Sequence, residues 1–446
     1  MADSNPSERR SALPAEPIDR ILHPLSRFLH VEAAGGVLLL ACTGLALALA
    51  NSSASEGYAA IWKTPVGFQL GAFEMVHSLK HWINDGLMVI FFFVIGLEVK
   101  RELVLGELRD PRRAALPVAA ALGGMVVPAC IFLALQYGAP GARGWGIPMA
   151  TDIAFVVGCL ALLGSRIPRG LRVLLLSLAI ADDIGAILVI AIGYTENLDL
   201  RWLVAGLLGL VLVRAMSRVG VRAIAVYVLV AVPVWLAFHE SGVHATLVGV
   251  LLGLMTPTEA WVAHSGLDFS VERVGRYLKG ETWESSRQRR AALRELEAAA
   301  RETLSPLERI ETALHPWSSF GIMPIFALAN AGVALEPAAF AEPIAIAVAA
   351  GLLLGKPLGI LLFGVVAIRL GLAQLPEGVS WSSLVGGGLL AGIGFTMALF
   401  IADLALDGAL LDAAKIGVLT ASLLAAVGGM AVLATALPRS ATASES

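Results

Sequence analysis

The chain has 446 residues, of which 57% are hydrophobic and 15% charged, with a mean hydropathy of +0.78 and a net charge of −3. Soluble domains average about 45–50% apolar and about 25% charged, so the composition excludes an ordinary water-soluble domain and describes an integral membrane protein. The near-neutral charge gives no footprint for a nucleic-acid partner, and Cys42, Cys130 and Cys159 lie singly in apolar segments, as small packing residues do.

Residues 1–30 read as a polar tail carrying Arg9, Arg10, Arg20 and Arg27. A bilayer core of about 30 Å needs about 20 helical residues. On that measure the chain predicts twelve spans, at about 31–50, 83–103, 114–135, 145–164, 171–194, 201–216, 222–238, 243–259, 317–335, 341–368, 382–406 and 413–436. The first run ends in Ala46-Leu47-Ala48-Leu49-Ala50, which looks like a signal-peptidase site. The long, mixed-charge stretch before it and its own length favour a retained span. Residues 51–82 lie outside the lipid, and partial alternation around Pro65-Val66-Gly67 suggests a hairpin there. The stretch 260–316 is a second loop, in which Arg287, Arg289, Arg290, Arg294, Glu295, Glu297 and Arg301 read as a solvated amphipathic helix. Residues 437–446 form a short tail. Basic residues gather in the N-terminal tail, Lys100–Arg113, Arg166–Arg172, Arg214–Arg222 and 264–310, all on alternate connections. The positive-inside rule therefore predicts both termini and the 260–316 loop in the cytoplasm and the 51–82 stretch outside.

Against this apolar background, ionisable residues stand out. Asp182 and Asp183 are adjacent in the middle of LRVLLLSLAIADDIGAILVIAIGY (171–194), Asp152 lies in the fourth segment and Lys356 in the tenth. A carboxylate at the bilayer centre costs about 2.5–3.5 kcal/mol on insertion scales, so such groups read as an ion or proton site. Helix breakers sit at the same depth. Gly144, Gly146 and Pro148 precede Thr151-Asp152, Gly355 and Pro357 flank Lys356, and Gly386-Gly387-Gly388 and Gly392-Ile393-Gly394 interrupt the eleventh segment. Interrupted helices are tolerated in a membrane only within protein or beside a watery cavity. Segments four and eleven hold matching places in three-helix units at about 114–194 and 341–436, which predicts inverted repeats whose broken helices meet near the midplane.

The words along the chain are specific: INDG at 83–86, GLEVKREL at 96–103, ATDIAF at 150–155, ADDIGAI at 181–187 and SGVHATL at 241–247. They continue with LHPW at 314–317, FALANAGV at 326–333, GKPLGI at 355–360 and GIGFTM at 392–397. Over about residues 20–435 the chain resembles the NhaA family of sodium/proton antiporters. The resemblance implies an all-α integral membrane protein of twelve transmembrane helices, with inverted three-helix repeats and crossed discontinuous helices at segments four and eleven. It also implies a homodimer in contact through the external hairpin, in a bacterial inner membrane. The activity implied is secondary active transport, electrogenic and pH-activated, in which cytoplasmic Na+ or Li+ leaves in exchange for external H+ to maintain sodium and pH homeostasis. No cofactor is required.

A carboxylate holds a proton or a sodium ion but hardly both, so competition on one site enforces exchange if only loaded sites reorient. Asp183 and Asp152 are read as the Na+ ligands, with Asp182 as a further oxygen donor and Thr151 and freed carbonyls completing the shell. Successive helical residues point about 100° apart, so Asp182 and Asp183 cannot both face one partner. In line with the family, Asp182 is assigned to Lys356, and either of those two residues is compatible with carrying a second proton. The resemblance adds Glu98, Arg101, Glu102, Glu311 and His315 as a pH sensor, alongside His244. Thr312 stands where the resemblance leads one to expect histidine, which bears on the pH set-point. Asp85 reads either as an interfacial residue or as a candidate for lining the outer funnel, and Asp403 is given no role. An intramembrane aspartyl protease needs its two acids on separate helices, and a passive channel uses acid rings or carbonyl filters. The adjacent acids and the buried lysine fit neither.

Overall fold

The computed structural model describes residues 32–437 except 71–72, 196–197, 222 and most of 260–302, where only 290, 293, 294 and 297 are placed, all helical. Apart from those four positions, the amphipathic helix expected around Arg287–Arg301 lies outside the described residues, as do residues 1–31 and 438–446.

The protein is a multi-pass helical membrane protein. In lipid the backbone must bond to itself, and the apolar runs do so as helices. Helix α1 (Glu32–Ala50) turns through 114° into the short α2 (Ser55–Lys63). Strands β1 (Pro65–Leu70) and β2 (Phe73–Ser78) then pair antiparallel, with Pro65 opposite Ser78 and Val66 opposite His77. The hairpin thus lies inside the 51–82 stretch. Ser78 ends β2 and also caps α3 (Leu79–Val104), its hydroxyl accepting the His81 N–H at 3.2 Å. There follow α4 (Pro111–Leu135), α5 (Ile153–Leu163), α6 (Arg169–Gly193), α7 (Leu200–Val219), α8 (Ile224–Glu240) and α9 (Thr246–Met255). The chain continues through α10 (Pro306–Trp317), α11 (Met323–Asn330), α12 (Pro343–Arg369), α13 (Trp381–Ala391), α14 (Phe395–Ala405) and α15 (Gly408–Ala436).

Among the described residues, six helices are long and apolar enough to cross a bilayer, or nine if each bent pair is one span. Of the remaining expected segments, those of α8 and α9 are shorter. Helix α9 stops at Met255 because Thr256 precedes Pro257 and takes an extended conformation (φ −65, ψ 132). Helix α10 begins well before the boundary near 317 read from hydropathy. Ser305 and Glu308 form a capping box and Pro306 occupies the first helical position, so the loop ends at Ser305. From there the chain stays helical through a π turn (Ser318–Ile322) into α11. A second π turn (Gly351–Gly355) lies just ahead of Lys356. These two π turns each end two residues before a proline, Pro324 and Pro357, whose missing N–H breaks the regular bonding pattern.

Two interruptions organise the interior. Pro140, Gly141, Gly144, Gly146 and Pro148 favour a 3-10 run (Pro140–Met149) over an α-helix, and the backbone is extended at Ala150 and Asp152 before α5 starts. The bend there is 42°, and the bend between α13 and α14 at Gly392–Gly394 is 44°. The two gaps meet: the Asp152 N–H donates to the Ile393 carbonyl at 2.7 Å, and the Thr151 hydroxyl donates to the Ala391 carbonyl at 2.9 Å. Helix α4 packs along α12 so closely that a Cβ on Gly123 would stand 2.1 Å from the Gly359 carbonyl oxygen. Only glycine permits that backbone approach. Facing outward, α7 and α8 present Leu208, Val211 and Leu229 with more than half their surface exposed, as lipid-facing residues would be.

Candidate ion-binding site

Asp152 is the cap of α5 and the joint between the two broken helices. One of its carboxylate oxygens accepts the Phe155 N–H of its own helix at 3.2 Å. The other accepts both the backbone N–H of Thr396, at 3.0 Å, and the Thr396 hydroxyl from the start of α14. Thr151 and Asp152 are each 1% exposed and Thr396 is fully buried. The helix N-terminus at Thr396 thus carries its positive dipole end toward Asp152.

Asp182 and Asp183, mid-way along α6, diverge as their 100° helical offset requires. Asp183 joins Asp152, Thr151 and Thr396 in lining a cavity of about 490 Å³. Asp182 does not line it; its Oδ2 accepts from the Lys356 ammonium, and both side chains are fully shielded from solvent. The aliphatic part of Lys356 lies beside Gly124 of α4, so the pair is set into the α4–α12 contact. Asp182, Glu98 and Asp152 are all near enough to act electrostatically on Asp183. Four carboxyl groups thus lie close together around the Lys356 ammonium, with Arg101 and Arg172 reaching the same cavity.

This constellation sits in a chain whose residues 26–433 match the family model described as Na+/H+ antiporter 1. Among curated relatives, the chain is 56% identical to the Na(+)/H(+) antiporter NhaA of Rhodopirellula baltica, over 98% of this chain and 99% of that one. It is 54% identical to the NhaA antiporter of Rhizobium meliloti, over 95% and 97% of the two chains, and 52% identical to NhaA 2 of Acidiphilium cryptum, over 99% and 98%. The chain belongs to the NhaA Na+/H+ antiporter family.

In this NhaA-family chain the other candidate residues fall into two groups. Glu98, Arg101 and Glu102 on α3 and His315 on α10 line the same cavity as Asp183. Arg101 bonds Glu311 at 2.6 Å, joining α3 to α10, and Ser177 of α6 donates to Glu102 at 2.9 Å. Burial holds the Glu311 carboxyl above its ordinary pKa, against the pull of the Arg101 guanidinium. The other two candidates lie elsewhere. His244 precedes α9 and its Nε2 is 2.8 Å from the Tyr194 carbonyl at the end of α6. Asp85 sits in a π turn of α3 (Trp82–Leu87), thirteen residues from Glu98 and thus about 20 Å along the helix axis.

Several functional-looking groups carried no assignment from the sequence. Thr396 lies inside the GIGFTM word, but a lone hydroxyl in a membrane helix gives no signal of its own. Asp403 of α14 bonds Lys80 and Asn84 of α3, and Asn84 in turn exchanges side-chain hydrogen bonds with Asn330 of α11, at 2.8 and 3.3 Å. Asn84 and Asn330 also fall within recognised words, yet only the folded chain shows that they meet.

Proposed function

We propose that this protein is a secondary antiporter that moves cytoplasmic Na+ or Li+ outward in exchange for external H+. The reading is carried by one observation: Asp183 and Asp152 share a cavity while Asp182, the immediate neighbour of Asp183, is held behind it by Lys356. Asp183 and Asp152 bind Na+, with Thr151 and carbonyls freed by the helix breaks as further oxygen donors, since small hard cations prefer oxygen. Thr396 orients the Asp152 carboxylate. Protons and sodium compete for these oxygens, and alternating access carries whichever is bound. Sodium arrival draws on Asp182 and loosens its bond to Lys356, which couples proton release to cation entry.

In this reading the chain crosses a bacterial inner membrane twelve times with both termini in the cytoplasm. Segments 114–194 and 341–436 are the inverted repeats, and a homodimer forms through the hairpin. The cavity group of Glu98, Arg101, Glu102 and His315, with Glu311, faces the cytoplasm and activates exchange at alkaline pH. Exchange is electrogenic and serves sodium and pH homeostasis.

The test uses everted vesicles, acidified inside by respiration and loaded with a quenched pH dye. Sodium or lithium added outside should dequench the dye in the native protein, more strongly as pH rises from about 6.5 to 8.5, the range around histidine titration. Asp183→Asn and Asp182→Asn should reduce the response to that of vesicles lacking the protein. Robust dequenching in Asp183→Asn vesicles sinks the assignment of the cation site, and a flat pH profile sinks alkaline activation.

A further inference from the structure

Far from the cavity, at the hairpin end of the bundle, three histidines converge from three separate elements. His77 lies on β2, His81 in the first turn of α3 and His239 in the last turn of α8. The Ser78 cap fixes the strand-to-helix turn and stacks the His77 and His81 rings, with centroids 4.3 Å apart and planes at 29°. The His239 ring meets both edge-on, at 5.7 and 5.6 Å. One ring nitrogen from each histidine lies within 4.8 Å of the other two. Asp85 places a carboxylate beside two of the three, its Oδ2 being 3.5 Å from His81 Nε2 and 3.6 Å from His239 Nδ1. Trp235 stacks on His239 at 5.6 Å and on Trp82 at 6.2 Å, walling one side of the cluster.

We infer that this cluster is a binding site for a divalent transition-metal ion of the zinc class, with His77, His81 and His239 as nitrogen ligands and Asp85 as the oxygen ligand. Three imidazoles and one carboxylate form a four-donor set typical of zinc, whereas Na+, Mg2+ and Ca2+ favour oxygen. Around tetrahedral zinc, with metal–nitrogen bonds of about 2.0–2.1 Å, the donors stand about 3.3 Å apart. Closing the three histidine nitrogens from a spread of up to 4.8 Å is a contraction of about 1.5 Å, within the reach of rotation about the two side-chain bonds of part-buried imidazoles. The Asp85 carboxylate turns in from beside His81 and His239. The bound ion ties the hairpin to α8, which meets it here through ring contacts, and braces it on α3, whose Trp82 indole N–H already donates to the Val66 carbonyl at 2.7 Å. This site does not depend on the transport reading, except that the orientation proposed above is what makes its face external.

The test takes the full-length, tag-free protein, purified in detergent and stripped of metal, and titrates it with Zn2+ by calorimetry and with Co2+ by visible absorption. One ion should bind per chain, with the absorption of tetrahedral Co2+ and with slower hydrogen exchange across residues 65–78. His81→Ala and His239→Ala should each weaken Zn2+ binding about tenfold or more, while the melting temperature without metal and sodium-driven proton movement stay as in the native chain. Native protein that binds no Zn2+ overturns the site, as does binding left undiminished in both variants. Binding that leaves hairpin exchange unchanged overturns the fastening role.

Discussion

The Thr396 hydroxyl is the residue-scale feature that most sharpens the site. It donates to the same Asp152 oxygen as its own backbone N–H, so Thr396→Val removes one charge-assisted bond and keeps the other. Hydrogen bonds to charged groups contribute about 1.5–3 kcal/mol, and about 1.4 kcal/mol is a factor of ten. Thr396→Val should therefore raise the sodium concentration for half-maximal dequenching about tenfold, with the melting temperature little changed. An unaltered sodium dependence would show that the hydroxyl does not tune the site. The residues that sequence reasoning singled out were charges in apolar surroundings, because the cost of burying them makes them conspicuous. Thr396, Asn84 and Asn330 carry no such cost and pass for ordinary membrane-helix residues until their partners, more than 200 positions away, are known. The histidine cluster was invisible for a related reason: His239 is far from His77 and His81 in the chain, and no fixed spacing links a strand, a helix start and a helix end.

At the scale of elements, hydropathy locates the helices well and their ends poorly. Helix α10 begins at a Ser–Pro–Glu cap that a hydropathy window reads as loop, and α9 is cut short by Pro257. The interruptions in segments four and eleven were readable because glycine and proline cluster there, but the bonds between the two gaps depend on tertiary contact. The α4–α12 pair offers a test of packing. A Cβ on Gly123 would stand 2.1 Å from the Gly359 carbonyl, whereas one on Gly44 of α1 meets nothing within 4 Å. Overpacking costs about 1–3 kcal/mol, so Gly123→Ala should lower the melting temperature in detergent. It should also depress exchange, because Lys356 lies one turn from Gly359 on the same helix. Gly44→Ala should leave both unchanged or raise stability slightly. Equal behaviour of the two variants would refute the close approach.

For the whole molecule, direction of transport depends on which face of the bundle meets the cytoplasm. The cavity group of Arg101, Glu102 and His315 lies toward one end of α3, and the hairpin with Asp85 lies at the other. In the proposed orientation, taken from basic residues on alternate connections, the cavity end faces the cytoplasm. A fluorescent protein fused after Ser446 should accordingly be bright and alkaline phosphatase fused there inactive. The reverse pattern would invert the orientation and with it the direction of exchange.

The meeting of the two helix gaps has a consequence for how such a chain can change. The amide of Asp152 finds its acceptor in Ile393, and the hydroxyl of Thr151 finds its own in Ala391. A substitution that healed one gap into regular helix would strand polar groups of the other in a greasy interior, where nothing nearby could answer them. The defects are thus mutual creditors: neither can be mended alone, and any rocking of one half of the bundle must carry both or tear the knot between them.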